Sequence, residues 1–335
     1  MRSASSSAAD QAAAALMERF ANKTIVKTQL LDGNQLQKLA LTLGRLSLRG
    51  RLMTESPPPT GCPVPPGYHL VYFTPSDLEN ELGADGSDRS ANPPGKFTRR
   101  MWAGGEMFWP AALTNGDEAP VLNVGEEVEE RTTLLSATPK HSSRSGDMIL
   151  VDVKKELWTS KGLAVTDKRS WIFRQEIDPS QSASSSSSRP AGARELYTRS
   201  SMRDSTNEPD SKPVVRHLSW SPVALFRFSA LTFNGHRIHY DEAWAQQVEG
   251  HKGIVVHGPL NLISMLDYWQ DVHGKGRSLA KIEYRAMAPI YADESYSIRT
   301  EERDGAKAGG GSFELHVEKE GRLCMRGLVT AHESQ

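Results

Sequence analysis

The spacing of apolar residues in the last third of the chain predicts one long helix followed by strands. In LNLISMLDYWQDVHG, apolar side chains recur at helical spacing and define a face that we expect to be buried: Leu260, Ile263, Leu266 and Trp269. This helix should end near Gly274. The segments that follow are rich in β-branched and aromatic residues, which is typical of strands: SLAKIEYRAM, ESYSIRTEER and SFELHVEKEGRLCMRGLVTAH, the last being two runs joined across Glu320 and Gly321.

Two shorter helices are predicted ahead of the long one. Ser221 is a suitable N-cap, and Pro222 a suitable first residue, for the segment VALFRFSALT with its helical spacing. Asp241 can cap EAWAQQVEG in the same way. Because one long helix is followed by several antiparallel strands, the pattern favours an α+β sheet wrapped around a helix.

The first half of the chain has a similar order, with a helix early and strands later. Residues 20–50 have a helical pattern, whereas residues 67–175 are rich in strand-forming residues. We expect strands at YHLVYF (68–73) and DMILVDVKKELW (147–158), and LAVTDKRSWIFRQ (163–175) should pair back in a hairpin. Two versions of one fold are therefore the economical interpretation.

A serine-rich segment divides the chain. DPSQSASSSSSRPAGAR and the polar residues that follow it up to Pro213 cannot bury enough apolar area to offset the entropy lost on ordering. The sequence predicts four parts: a disordered or targeting segment (1–20), an N-terminal domain (21–177), the serine-rich linker or insertion (178–213) and a C-terminal domain (214–335).

The charge balance excludes several kinds of partner. Lys plus Arg number 40 and Asp plus Glu 41, which gives a net charge of −1. A nucleic-acid or polybasic membrane surface would need an excess of basic residues, so we expect neither partner. The apolar runs are shorter than the roughly 18–20 residues of a membrane helix, so a soluble protein is expected.

Two further features bear on the compartment. Cys62 and Cys324 have no metal-binding or CxxC spacing, as expected for reduced thiols of an intracellular protein. The N-terminal MRSASSSAADQAAAALMERF is rich in serine, as transit peptides are, but contains few arginines. We expect a mitochondrial location, or otherwise a cytoplasmic one.

The stretch FSALTFNGHRIHYD and the later HGP contain the candidate chemistry. The imidazole of His239 titrates near neutral pH and is a natural general base. The amide of Asn234 can orient a water molecule but cannot accept its proton. Residues 257–259 begin the long helix, where unpaired N–H groups favour an oxyanion, and Gly258 is the candidate donor. Together these groups suit reversible addition of water to a conjugated acyl thioester.

The same residues resemble the hydratase 2 motif of MaoC-like enoyl-thioester hydratases and dehydratases, which have the hot-dog fold. FSALTFNGHRIHYDEAWA followed by GIVVHGPL places His239 at the catalytic histidine of the family and Asn234 at its catalytic aspartate. His236 stands at the family's asparagine and Arg237 at its proline. The motif most resembles that of the branch of mesaconyl-C4-CoA hydratase-like proteins and mitochondrial type 2 hydroxyacyl-thioester dehydratases. In this branch, an asparagine at the position of the catalytic aspartate, as at Asn234, looks like the branch's own variant.

The first half resembles the N-terminal domain of FAS1-like dehydratases. The segments that carry this likeness are RRMWAGGEMFW, KHSSRSGDMILVDV and TDKRSWIFR. In those proteins a degenerate hot dog pairs with an active one. The resemblance therefore implies a double hot-dog, α+β, with two antiparallel sheets each wrapped around a long helix.

The expected activity is that of a hydro-lyase acting on a short acyl-CoA, such as mesaconyl- or itaconyl-CoA. Two alternatives stay open: a 3-hydroxyacyl-ACP dehydratase of mitochondrial fatty acid synthesis, and a non-catalytic module that binds acyl thioesters. The candidate substrate-binding residues are His236, Arg237, His257, Arg99 and Arg100, the last two for coenzyme A phosphates. No metal or redox cofactor is expected. The protein should act as a monomer or a homodimer.

Overall fold

A computed structural model describes residues 7–48, 50–111, 119–142, 146–176, 198–205, 214–301 and 311–332. Its helices are α1 Ala8–Phe20, α2 Gly33–Thr42, α3 Pro222–Leu231, α4 Glu242–Gln247 and α5 Gly258–His273. Short 3-10 helices are formed by Tyr68–Val71, Glu79–Glu81 and Arg237–His239.

The strands divide between the two halves of the chain. Those of the first half are β1 Thr24–Leu30, β2 Ser47–Leu48, β3 Arg51–Leu52, β4 Arg99–Phe108, β5 Glu127–Ser142, β6 Gly146–Thr159 and β7 Gly162–Arg174. Those of the second half are β8 Ser201–Ser205, β9 Val215–Ser219, β10 Leu279–Ala286, β11 Tyr296–Glu301, β12 Ser312–Lys319 and β13 Arg322–Ala331.

Eleven of these strands form one antiparallel sheet in the order β1-β5-β6-β7-β4-β10-β13-β12-β11-β9-β8, and β2 pairs only with β3. The halves meet where β4 pairs with β10. A Cβ atom on Gly104 would lie 2.4 Å from the carbonyl oxygen of Tyr284, so the glycine permits this close approach. The two expected sheets are therefore joined edge to edge, and the α+β class is confirmed.

Helix α5 lies against the sheet of the second half and supplies its core. The four residues of its predicted apolar face are all buried: Leu260, Ile263, Leu266 and Trp269. They share one cluster with residues of β10 to β13 such as Ile282, Leu315 and Val329. The predicted long helix, the strands that follow it and the β6–β7 hairpin are confirmed.

Two secondary-structure predictions in the first half are wrong. The helical pattern of residues 20–50 contains strand β1, which pairs with β5, and among the described residues after α1 the α-helix in this range is Gly33–Thr42. YHLVYF begins with the buried 3-10 helix Tyr68–Val71 rather than a strand. A short apolar run fits a strand and a buried helical turn equally well, so its periodicity cannot separate them.

The N-terminal segment belongs to the folded structure from residue 8 onward. Helix α1 begins in a capping box in which Ser7 and Asp10 bond each other's backbone N–H groups. Its buried residues pack against β5 and β6: Ala9, Ala12, Ala13 and Leu16. Within the segment predicted as disordered or targeting, residues 8–20 thus form a helix, whose alanine-rich face lets the backbone approach the sheet.

The serine-rich insertion is described only in part. Residues 177–197 and 206–213 lie outside the described residues. Between them, β8 pairs with β9 and forms one edge of the sheet, so this portion of the predicted linker is a strand. In the described part of the chain, none of the helices has the length and apolar character needed to cross a bilayer.

Candidate active site

Two of the candidate histidines lie on the turn between α3 and α4, residues 232–241, here called the histidine bend. The chain leaves α3 through Phe233, whose φ of 47° is left-handed. The Oδ1 atom of Asn234 then accepts the backbone N–H of His236 at 3.1 Å, which closes an Asx-type turn. The 3-10 helix Arg237–His239 follows. This local hydrogen bonding aims two histidines at the interior rather than at solvent.

His239 is held in one tautomer. Its side chain is 8% exposed, and its Nδ1 atom lies 2.8 Å from the carbonyl oxygen of Val255. A carbonyl only accepts, so Nδ1 must donate, and Nε2 is left with its lone pair. Because His239 lines the cavity described below, this nitrogen is suited to accept a proton.

The three histidines singled out in the sequence form one cluster. The ring of His239 stacks on that of His257 with centroids 3.7 Å apart, and meets His236 edge-on at 5.5 Å. Burial, with a smaller effect from His236, lowers the pKa of His239 to about 3. Burial also lowers the pKa of His236 to about 3, and that of His257 well below its ordinary value. All three imidazoles are therefore neutral at neutral pH.

The start of α5 faces the same cluster. His257 is its N-cap, and its Nε2 atom lies 2.9 Å from the hydroxyl of Ser229. At Gly258 a Cβ atom would lie 3.2 Å from the ring of Trp102, so the glycine lets β4 pack against the helix start. The first N–H groups of a helix have no intrahelical acceptor, which leaves that of Gly258 for an oxyanion, whereas Pro259, the next residue, has no N–H.

A cavity of about 690 Å³ joins these groups to the first half of the chain. The second half contributes Asn234, His236, His239, His257 and Gly258. The first half contributes basic and aromatic side chains: Arg99, Arg100, Trp102, Lys155, Arg169 and Trp171. The site is therefore built by both halves.

Both predicted arginines of the first half reach the cavity, and both are ion-paired. Arg99 binds Glu249 at 2.7 Å, and Arg100 binds Asp88 at 2.5 Å. Arg237, by contrast, is not among the lining residues. Its guanidinium binds Asp241 at 2.7 Å and lies 4.0 Å from the ring of Trp244. The structure thus turns Arg237 away from the cavity, because these two partners hold it on the surface of α4.

One group of described residues has the donor types and spacing of a metal site. The ligand atoms of Asp85, His236 and Glu249 lie within 4.8 Å of one another. Glu249, however, already binds Arg99, and Arg99 and Arg100 lie close enough to His236 to depress its pKa. These two positive charges oppose the binding of a cation at this place.

The sequence interpretation missed the contribution of the loop at residues 83–88. This loop packs directly on the histidine bend. Asp85 thereby comes to lie 3.5 Å from His236. Trp102, Lys155 and Arg169 were also missed, because nothing local distinguishes them from ordinary strand residues.

Comparisons with known proteins agree with this geometry. The family model described as hydroxyacyl-thioester dehydratase type 2 matches residues 67–292. The chain is 30% identical to mesaconyl-C(4)-CoA hydratase of Chloroflexus aurantiacus over 241 residues, which cover 70% of this chain and 75% of that protein. It is 26% identical to the mitochondrial hydroxyacyl-thioester dehydratase type 2 of Schizosaccharomyces pombe over 247 residues, or 70% of this chain and 76% of that one.

Solved structures show the same fold at low sequence identity. A MaoC-like dehydratase from Phytophthora capsici superposes with a TM-score of 0.59 and 13% identity, covering 95% of this chain and 99% of that one. A conserved Mycobacterium tuberculosis protein described as a double hot dog gives a TM-score of 0.50 and 14% identity, covering 92% and 95%. The double hot-dog prediction is confirmed. With a family model that spans two thirds of its length, the chain belongs to the type 2 hydroxyacyl-thioester dehydratase family.

Proposed function

We propose that this protein is a hydro-lyase that catalyses reversible hydration and dehydration of an acyl thioester. One observation carries the proposal: His239, with Nδ1 bonded to Val255, presents its unprotonated Nε2 to a cavity that also holds the start of α5. A base beside unpaired helical N–H groups is what removal of a proton next to a thioester carbonyl requires.

The steps follow from these positions. In dehydration, His239 removes the C2 proton while the N–H of Gly258 holds the carbonyl oxygen as it becomes an enolate. The hydroxyl group leaves C3 near Asn234, and the proton taken by His239 departs with it as water. In hydration the steps reverse. Only a proton moves between enzyme and substrate, so the chemistry calls for no redox or metal cofactor.

A short dicarboxylyl-CoA, such as mesaconyl- or itaconyl-CoA, is the substrate we propose. Three basic side chains from the first half line the cavity and could receive a second carboxylate: Arg100, Lys155 and Arg169. The name of the Chloroflexus relative supports the same substrate class. Arg99, at the start of β4, remains our candidate for coenzyme A phosphate.

A second candidate, a dehydratase of 3-hydroxyacyl groups on acyl carrier protein, also has support. Apolar residues line the first-half end of the same cavity and suit a longer acyl chain: Phe20, Ile25, Leu134 and Val153. The fission yeast relative is named a mitochondrial hydroxyacyl-thioester dehydratase. On that similarity we also propose a mitochondrial location, which a fluorescent fusion of the full chain would test.

An absorbance assay tests the function. The purified protein should change the enoyl absorbance of crotonyl-, mesaconyl- or itaconyl-CoA, and the preferred thioester identifies the substrate class. His239→Ala should lower kcat by roughly 100- to 10,000-fold because the base is gone. His141→Ala is the matched control, since that exposed histidine pairs with Asp147 on the β5–β6 hairpin.

Two results would count against the proposal. Binding of thioesters without turnover of any of them would favour the non-catalytic module. Activity of His239→Ala equal to that of the wild type would remove His239 from the mechanism.

A further inference from the structure

The loop at residues 83–88, from the other half of the chain, clamps the histidine bend. A Cβ atom on Gly86 would lie 2.1 Å from the carbonyl oxygen of Gly235, so the two backbones are in direct contact. The φ of Gly86 is 77°, which only glycine adopts readily. The backbone N–H of Arg237 also donates to the carbonyl oxygen of Asp85 at 2.8 Å. The loop therefore has a fixed position relative to the bend.

The side chain of Asp85 is oriented within this clamp. Its Oδ1 atom accepts the backbone N–H of Ser87 at 3.0 Å and the hydroxyl of Ser87 at 2.8 Å. The other oxygen, Oδ2, lies 3.5 Å from Nε2 of His236. Among the described residues, neither Oδ2 nor Nε2 has a hydrogen-bond partner, although both atoms are buried. A shift of a few tenths of an ångström would therefore let these two atoms form a hydrogen bond with each other.

The neighbouring charges are already paired. Arg99 binds Glu249, and Arg100 binds Asp88. Among the described residues, Asp85 is the carboxylate that faces Nε2 of His236 without an Arg or Lys partner. An ionised carboxylate only accepts hydrogen bonds, so this contact favours the His236 tautomer with its proton on Nε2. In that tautomer Nδ1 is an acceptor, on a side chain that lines the cavity.

We propose that Asp85 is a positioning residue that acts through His236 and compensates for the amide at Asn234. It holds His236 in the tautomer whose Nδ1 accepts a hydrogen bond from the reacting water. In hydration, the water oxygen bonds to C3, one water proton passes to His239 Nε2 and from there to C2, and the other stays on the new hydroxyl group beside His236. This inference rests on the proposed hydro-lyase function.

The substitution Asp85→Asn is expected to reverse the tautomer. Ser87 donates two hydrogen bonds to Oδ1, so the amide oxygen must take that place and the NH₂ group must face His236. A donor there favours a lone pair on Nε2 and a proton on Nδ1. We expect kcat to fall by about 10- to 1,000-fold, with KM changed by less than about threefold, because orientation of the water is lost.

A double-mutant cycle separates this role from a structural one. In a His236→Gln background, Asp85→Asn should lower kcat by less than about a further factor of two. The imidazole that Asp85 orients is already absent from that background, so the two losses should not add. Glu79→Gln, a carboxylate-to-amide change on an exposed residue shortly before the loop, is the matched control and should keep full activity. Full activity of Asp85→Asn, or equal losses in both backgrounds, would overturn the proposal.

A direct measurement covers the case in which a variant fails to fold. In wild-type protein with ¹⁵N-labelled histidine, the signals of His236, assigned by their absence in His236→Gln, should show a protonated Nε2 and an unprotonated Nδ1. The opposite tautomer would overturn the proposal, even if the protein turned over no thioester. Loss of activity in EDTA with recovery on adding Zn²⁺ would likewise overturn it, because the cluster of Asp85, His236 and Glu249 would then hold a cation.

Discussion

The amide of Asn234 suits both the turn that it forms and the water-holding role proposed for it. Its Oδ1 atom accepts the N–H of His236 and fixes the bend, which leaves the Nδ2 protons free to donate. A donor there can hold the oxygen of the incoming water or departing hydroxyl group. The turn that Asn234 forms is therefore compatible with the water-orienting role predicted for it.

Asn234→Asp is expected to retain measurable activity, reduced by roughly tenfold. The carboxylate can still accept the His236 N–H, so the bend should survive, but the donor to the water oxygen is lost. Comparison of kcat and melting temperature with the wild type checks this. Asn234→Ala, which also removes the acceptor, is the control and should melt at a lower temperature. Complete inactivity of a folded Asn234→Asp would show that the amide donors are indispensable.

At the scale of elements, α1 shows how a segment of low complexity contributes to the fold. Its alanines and Leu16 cover one end of the inner face of β6, while α2 and the 3-10 helix Tyr68–Val71 belong to the main core. Phe20, the last residue of α1, borders the cavity. The helix thus supports the first-half end of the site.

Leu16→Ala should destabilise the protein by about 2–5 kcal/mol, because Leu16 is fully buried and its removal leaves a void. Urea unfolding followed by circular dichroism measures the change. Glu18→Ala, on the exposed face of the same helix, should change stability by less than about 0.5 kcal/mol. Equal stability of Leu16→Ala and the wild type would mean that α1 is not docked in solution.

At the scale of the whole molecule, the two halves act as one unit. Strand β4 pairs with β10, and α5 also contacts the first half through its acidic residues. The hydroxyl of Tyr68 donates to Asp267 at 2.9 Å, and Arg45 binds Asp271 at 2.8 Å. Burial raises the pKa of Asp267 to about 6. The helix that supplies the candidate oxyanion site is therefore held from both sides.

Stability should fall as the pH drops from about 6.5 toward 3. In the unfolded chain the histidines take up protons near pH 6.5, whereas His236 and His239 do so only near pH 3 in the folded protein. Between these values the unfolded state binds more protons, so acid favours it. Asp267 changes the stability in the opposite direction. Its stabilising contribution is present below about pH 3.8 and is lost as the pH rises through 6.

Urea unfolding at pH 7, 6, 5 and 4 measures this dependence. His236→Gln should reduce the slope of unfolding free energy against pH by about 1.4 kcal/mol per pH unit, the contribution of one proton. His141→Gln is the control, because that exposed histidine has its pKa raised by Asp147 and should not flatten the slope in this way. An unchanged slope in His236→Gln would show that His236 is protonated in the folded protein.

The sequence by itself determined the elements and the motif. The apolar spacing of α5, the strands after it and the caps Ser221 and Asp241 were predicted correctly because hydrophobic periodicity and capping are local properties. The family resemblance could also be recognised in the stretch from Asn234 to His239, because the residues that carry it lie within one short segment. Short apolar runs such as YHLVYF and the alanine-rich α1 were misjudged, since burial decides their state.

Only the tertiary structure decided which residues share the cavity. Asp85 and His236 are 151 positions apart in the chain, and no local pattern records their proximity. The pairing of β4 with β10 brings Arg100 and Trp102 to the histidines, while Asp241 and Trp244 hold Arg237 away. These outcomes depend on how strands and loops distant in sequence pack together, which is a property of the folded chain.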